Sequence, residues 1–176
     1  MSKAEKFDYM KQNIVLIGMP ASGKSTAGVI LAKLLAMDFV DTDIVLQQRE
    51  GCQLRDIIEA KGIEPFLKKE ERAVLSISAR HTVIATGGSV VYSDAAMKHL
   101  KENAMIIYLK VSFGKMRKRL GDLRKRGVIL RNGETLKEMY DERCALYEKY
   151  SDIVLCEKGA VEDTVRMIVG VLNGGL

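Results

Sequence analysis

The sequence predicts an α/β domain built on a parallel sheet with helices on both faces. Three observations lead there. Short β-rich runs alternate with longer amphipathic stretches from residue 13 almost to the end of the 176-residue chain. Those runs are apolar nearly throughout and do not alternate with polar residues, as expected of strands buried on both sides. A glycine-containing turn also joins the first run directly to a helical stretch, which makes a βαβ unit the natural opening motif.

Residues 13–18 (NIVLIG) form the first predicted strand. Residues 24–36 carry apolar side chains at helical spacing, and residues 38–41 (DFVD) follow as a second short strand. Helices are expected over 53–60 and 64–80, separated by Gly62, and a third strand over 82–86 (TVIAT) ends in Gly87 and Gly88. Residues 93–102 read as a helix with Ser93 as its N-cap. A fourth strand is expected over 104–109, helices over 112–120 and 134–150, a fifth strand over 153–156 and a closing helix over 161–172. Residues 121–133 (GDLRKRGVILRNG) fit no element and are too polar for core, so they are expected to form a mobile lid. No repeat or low-complexity segment interrupts the pattern, and residues 1–176 are read as one domain with a polar extension over 1–12.

Composition narrows the class. With 47% hydrophobic and 29% charged residues and two prolines, a disordered, collagen-like or membrane protein is excluded. The net charge of +5 favours an anionic partner without saying which. Cys52, Cys144 and Cys156 are odd in number and widely spaced, which argues against a disulfide framework or a zinc site and for a reducing cytoplasm. The polar start has no signal-peptide core, and no apolar run approaches the roughly 20 residues that span a bilayer. Neither membrane nor nucleic-acid partners are expected, and a monomer is. His81 and His99 are too isolated to suggest catalysis, the nine methionines suit core filling, and Tyr140, Tyr147 and Tyr150 have packing spacing on one helix.

The sharpest signal is residues 18–25, GMPASGKS, which satisfies G-x-x-x-x-G-K-[ST] between a strand and a helix. Gly18, Ala21, Ser22 and Gly23 can turn backbone N–H groups inward as an anion nest, and the helix opening at Lys24 adds about half a positive charge. Lys24 can reach the β and γ phosphates of a nucleotide, and Ser25, followed by Thr26, can complete the coordination of a magnesium ion.

A transferred phosphoryl group needs an acceptor site. Asp41 and Asp43 lie at the carboxyl end of the second strand, on the same sheet edge as the loop, and alternation along an extended segment would point both into one cleft. One can bind magnesium through water while the other accepts a proton from an attacking hydroxyl; the ordinary alternative is an N-cap for a following helix. Gly87 and Gly88 would let a ligand approach the backbone, or simply form a tight turn. The basic residues between Lys115 and Arg131 suit a solvated face or a nucleic-acid patch, but they lack the interleaved aromatics of the latter. A closing loop is favoured, because an arginine on it can stabilise the transferring phosphoryl by roughly 10³ to 10⁵ in rate while closure excludes water.

Taken together, GMPASGKST, FVDTD, TGG after a strand, the arginine-rich lid and ERCALYEKYSD resemble the shikimate kinase family over residues 13–172. The resemblance implies a doubly wound, five-stranded parallel sheet of order 2-3-1-4-5 and a P-loop kinase fold. It also implies transfer of the ATP γ-phosphoryl to a ring hydroxyl of shikimate. On the family pattern Asp43 deprotonates the acceptor hydroxyl, Asp41 helps position Mg2+, Arg126 acts from the lid, Arg143 grips the substrate carboxylate and Arg119 lies against adenine. The departures fall on the acceptor side. Leu67 stands where the family has arginine before a helical glutamate, Ser89 replaces a third glycine, and Gly127 replaces the lid proline. Lys68 and Lys69 are turned about 100° per residue away and lack the bidentate fork of arginine. A related kinase acting on another small hydroxy acid such as homoserine, or a nucleotide-binding protein with a regulatory or nucleic-acid role, are the competing readings.

Overall fold

The structure, a computed structural model, describes residues 12–121 and 128–174. Five strands, β1 (Asn13–Ile17), β2 (Asp38–Asp41), β3 (Thr82–Ala85), β4 (Ala104–Lys110) and β5 (Ile153–Cys156), form one sheet in the order β2-β3-β1-β4-β5. Every neighbouring pair is parallel, with Ile14 opposite Val83 on one side of β1 and Met105 on the other. The strand order and the parallel pairing are those the resemblance implied.

All five residues of β1 are buried because both of its faces are covered. Ile14 and Leu16 pack with Leu31 of α1 (Lys24–Leu35) and with Val165 and Ile168 of α8 (Val161–Leu172). Val15 and Ile17 face the opposite layer, built from Val74, Met97, Met116, Met139 and Tyr147. Those residues lie on α4 (Ile63–Leu75), α5 (Asp94–Glu102), α6 (Phe113–Leu120) and α7 (Leu136–Tyr150). The period-2 alternation of a strand thus divides one apolar run between two cores. A third cluster joins Leu46 of α2 (Thr42–Glu50), Ile57 of α3 (Leu54–Lys61), and Phe66 and Ala73 of α4 to Ile129.

Because β1 lies between β3 and β4, the winding direction reverses there, and the crevice beyond the strand ends at such a reversal is where open α/β sheets bind ligands. The glycine-containing turn, the end of β2 and the Gly87–Gly88 pair all leave the sheet at that edge.

Three local features differ from the sequence reading. Thr42 begins α2 immediately after β2, capped by the Asp41 side chain, which accepts from Asp43 N at 2.9 Å. Asp43 is therefore helical, and the alternation expected of an extended segment does not apply to it. Helix α4 stops at Leu75 and does not reach residue 80. The Ser76 hydroxyl bonds back to Ala73 O, and Asn13 donates to Ala79 O and accepts from Thr82 N, drawing residues 76–81 toward β3. Residues Val90–Tyr92 form a 3₁₀ turn ahead of α5, whose cap is Ser93 as expected.

Gly28 of α1 faces β2 so closely that a Cβ would stand 2.7 Å from Phe39 Cε2. Helix propensity favours alanine by about 1 kcal/mol, whereas overpacking a filled site costs about 1–3 kcal/mol. Gly28→Ala is therefore expected to lower Tm by a few degrees in thermal denaturation, and adding Phe39→Leu is expected to restore most of the loss.

Candidate active site

The turn after β1 is shaped for a polyphosphate by its backbone. Gly18 has φ +145°, and a Cβ there would stand 2.7 Å from Leu109 O, so only glycine fits against β4. Ala21 (φ 62°) and Gly23 (φ 88°) both adopt the left-handed region. Gly23 caps α1 without a side-chain hydrogen bond, and the first turn holds no acidic residue. The N–H groups of that turn are thus left to an anionic ligand, with the helix dipole behind them.

Lys24 is only 7% exposed. Its Nζ donates to Gly18 O at 2.7 Å, Met19 O at 2.8 Å and Ser22 Oγ at 3.4 Å, so the ammonium lies against the turn. Burial pulls its pKa down to about 8, against the opposing pull of the Asp43 and Asp41 carboxylates.

Across the cavity stand two carboxylates, one half-buried and one buried. Asp43 projects from the first turn of α2, and Glu70, 4% exposed, from α4. Both converge on Gly87: a Cβ there would lie 2.3 Å from Glu70 Oε1 and 2.7 Å from Asp43 Oδ1. Burial, and secondly the neighbouring Asp41, push the Asp43 carboxyl up to about 6, partly countered by Lys24. Burial and then Asp43 push Glu70 up to about 7, against a hydrogen bond from Ser89 and the nearby Arg143 and Lys24. A carboxyl held near neutrality is suited to taking a proton from a hydroxyl. The backbone between them is fixed by Gly87 N donating to Thr42 Oγ1 at 3.0 Å and Tyr147 OH donating to Gly88 O at 2.5 Å.

The second cation is Arg143 of α7, 1% exposed. Its Nε donates to Tyr92 OH at 3.2 Å and its NH2 to Ile129 O at 3.1 Å. Arg119 pairs with Glu157 and reaches toward Ala21 O at 3.5 Å. It borders a cavity of about 250 Å³ that continues from the phosphate turn toward α8.

One cavity of about 560 Å³ gathers Ala21, Gly23, Lys24, Ser25, Thr26, Asp43, Gly88, Arg119 and Arg143. Gly18, Ser22 and Gly87 shape it from behind. Asp41 spends one carboxylate oxygen on the α2 cap. Arg126 lies outside the described residues, as do the other lid positions over 122–127. Glu70 went unassigned in the sequence reading, although a signal existed: it is an acidic residue on the buried stripe Phe66, Glu70, Ala73, Val74 of α4, where a core residue belongs.

The donors suited to magnesium are the exposed Ser25 hydroxyl and the remaining Asp41 oxygen. Among the described residues no cluster of three or more His, Cys, Asp or Glu forms a cage. That sparse set of hard oxygen donors fits an ion that keeps its waters and completes its shell with substrate phosphates.

An anion nest at the reversal point of a parallel sheet, facing a half-buried carboxylate and a buried guanidinium across one cleft, is the arrangement of a P-loop phosphotransferase for small acceptors. The shikimate kinase family model matches residues 20–173. The shikimate kinase of Pasteurella multocida is 37% identical over 82% of this chain and 85% of its own length. The structure of Acinetobacter baumannii shikimate kinase in complex with shikimate superposes with a TM-score of 0.85 at 25% identity, covering 97% of both chains. That of Aquifex aeolicus shikimate kinase gives 0.80 at 31% identity, covering 92% of this chain and 96% of its own. The chain belongs to the shikimate kinase family and is an ATP-dependent phosphotransferase.

The raised carboxyl of Glu70 sets a pH dependence. A carboxyl whose folded pKa exceeds its unfolded value binds more protons in the folded state, so its contribution to stability is full below about 4.5 and is lost as pH rises through about 7. Glu70→Gln is expected to remove this slope: chemical denaturation should show the variant gaining stability relative to the parent between pH 4.5 and 7.

Proposed function

We propose that this enzyme transfers the γ-phosphoryl of ATP to a ring hydroxyl of shikimate. The observation that carries the reading is the convergence of Lys24, Asp43 and Arg143 on one cavity, with the phosphate turn at one end and the guanidinium at the other. The turn's N–H groups and Lys24 hold the β and γ phosphates, Lys24 exchanging its loop carbonyls for phosphate oxygens. Arg143 grips the acceptor's carboxylate and thereby sets which hydroxyl meets the γ phosphorus. Asp43 takes that hydroxyl's proton as the new P–O bond forms and the bond to the β-phosphate oxygen breaks, leaving ADP. Magnesium, held by Ser25 and Asp41, would neutralise charge on the β and γ oxygens. Arg119 borders the side cavity that suits the base.

A second acceptor class is favoured by one observation. Leu67, with Glu70, Ser89 and Tyr92, lines a side cavity of about 160 Å³ where the resemblance implied another guanidinium. Arg143 then holds the carboxylate alone, which also suits a smaller hydroxy acid such as homoserine.

Asp43→Asn is expected to lower kcat by about 10² to 10⁴ while leaving ATP affinity, measured by calorimetry, nearly unchanged; normal turnover in that variant would remove Asp43 as the base. A coupled ADP-release assay across shikimate, homoserine and gluconate is expected to show turnover with shikimate. Leu67→Arg should lower the KM for shikimate about tenfold, the scale of a charge-assisted hydrogen bond. Turnover of homoserine without turnover of shikimate would transfer the assignment to the second class.

A further inference from the structure

The side cavity beside Leu67 is lined by a residue, Tyr92, that neither the motifs nor the reaction outlined above accounts for. Tyr92 closes the 3₁₀ turn Val90–Tyr92, whose first two side chains are buried in the core and fix its position. Its ring lies between two guanidinium groups, with Arg131 Cζ 4.6 Å and Arg143 Cζ 5.1 Å from the ring centroid. Its hydroxyl accepts from Arg143 Nε at 3.2 Å and donates to Glu142 Oε2 at 3.1 Å. Glu142 in turn receives Arg131 NH1 at 3.0 and 3.3 Å. Arginine can only donate, so the direction of each bond in this chain is determined.

The stereochemistry of Arg143 gives the arrangement its meaning. A guanidinium offers five N–H donors in a rigid planar fork. The edge formed by Nε and NH2 is occupied by Tyr92 OH and Ile129 O. Among the described residues NH1 has no hydrogen-bond partner, and it stands 3.3 Å from where a Cβ on Gly88 would be, at the wall of the main cavity. The free end of the fork, NH1 with the second N–H of NH2, is therefore the end that a carboxylate can meet in bidentate fashion.

We propose that Tyr92 is a positioning residue for acceptor binding: its hydroxyl and ring hold Arg143 with the NH1 end turned to the acceptor's carboxylate and tie that arginine to Arg131 and Glu142. The proposal rests on the reading of Arg143 as the holder of that carboxylate. Since Arg143 carries the grip without a second guanidinium from position 67, its orientation bears directly on how tightly the acceptor binds.

The test uses the full chain, ATP, shikimate and the neutral carboxamide of shikimate, with Tyr92→Phe, which keeps the ring, and Arg143→Lys. For Tyr92→Phe the KM for shikimate is expected to rise about tenfold, as for loss of a hydrogen bond to a charged group. Its kcat should stay within about twofold and its KM for ATP should not change. The parent is expected to prefer the acid over the carboxamide, and Tyr92→Phe should lose most of that preference. Arg143→Lys should raise the KM for shikimate at least as much. If Arg143→Lys raises that KM and Tyr92→Phe leaves it and the acid preference intact, the proposal is overturned and the reading of Arg143 stands. A drop in Tm in which kcat and both KM values change together would show a merely structural role and also overturn it. An unchanged KM in Arg143→Lys, or no turnover of shikimate by the parent, would overturn the underlying reading and the proposal with it.

Discussion

Two cations and two carboxylates line a single cavity, Lys24, Arg143 and Glu70 buried and Asp43 half-buried, and the structure is organised by what that desolvation demands. Removing an ion from water costs several kcal/mol even after relaxation, so each needs partners inside the fold. The cations have them: Lys24 is bonded to two loop carbonyls and a hydroxyl, and Arg143 to the Tyr92 hydroxyl and the Ile129 carbonyl. The carboxylates gain proton affinity first from burial and second from a neighbouring carboxylate, Asp41 beside Asp43 and Asp43 beside Glu70. Near neutral pH the acids are thus ready to receive a proton, while the cations are held in place for anionic ligands.

Holding such a cluster requires rigid supports on every side. Helices α1, α2, α4 and α7 each bring one of the four charges, and each is anchored in one of the three apolar clusters. The segment after β3 runs between them and is tied to α2 through Thr42 and to α7 through Tyr147. Glycine at 87 and 88 is a matter of space, because a Cβ at either position would collide with Glu70 and Asp43 or with Pro20.

The two ends of the cleft are built from different materials. The phosphate end offers backbone N–H groups and a helix terminus, whose geometry depends on a few permissive positions and tolerates change elsewhere. On the proposed reading the acceptor is read by side chains, and a single exchange such as leucine at position 67 alters the charge it meets. The resemblance read from the sequence follows this division, with the family pattern intact around the turn after β1 and its departures at Leu67 and Ser89. It also places weight on Arg143 and on the residues that hold it, which came from Tyr92 and Ile129, two positions with no motif of their own.

What the amino-acid sequence determined by itself was the architecture and the nucleotide end. Short apolar runs without alternation, bounded by turn residues, suit strands covered on both faces, and the G-x-x-x-x-G-K-S spacing lies in the local backbone, so both are legible without a third dimension. Asp43, Gly87 and Arg143 were legible through the motifs that contain them, although Asp43 enters the cleft from a helix turn and not from an extended strand. Only the tertiary structure brought Glu70 against Gly87 and set Tyr92 between Arg131 and Arg143. Those contacts join residues 17 to 51 positions apart, and their meaning lies in burial and orientation, which no local pattern of residue types encodes.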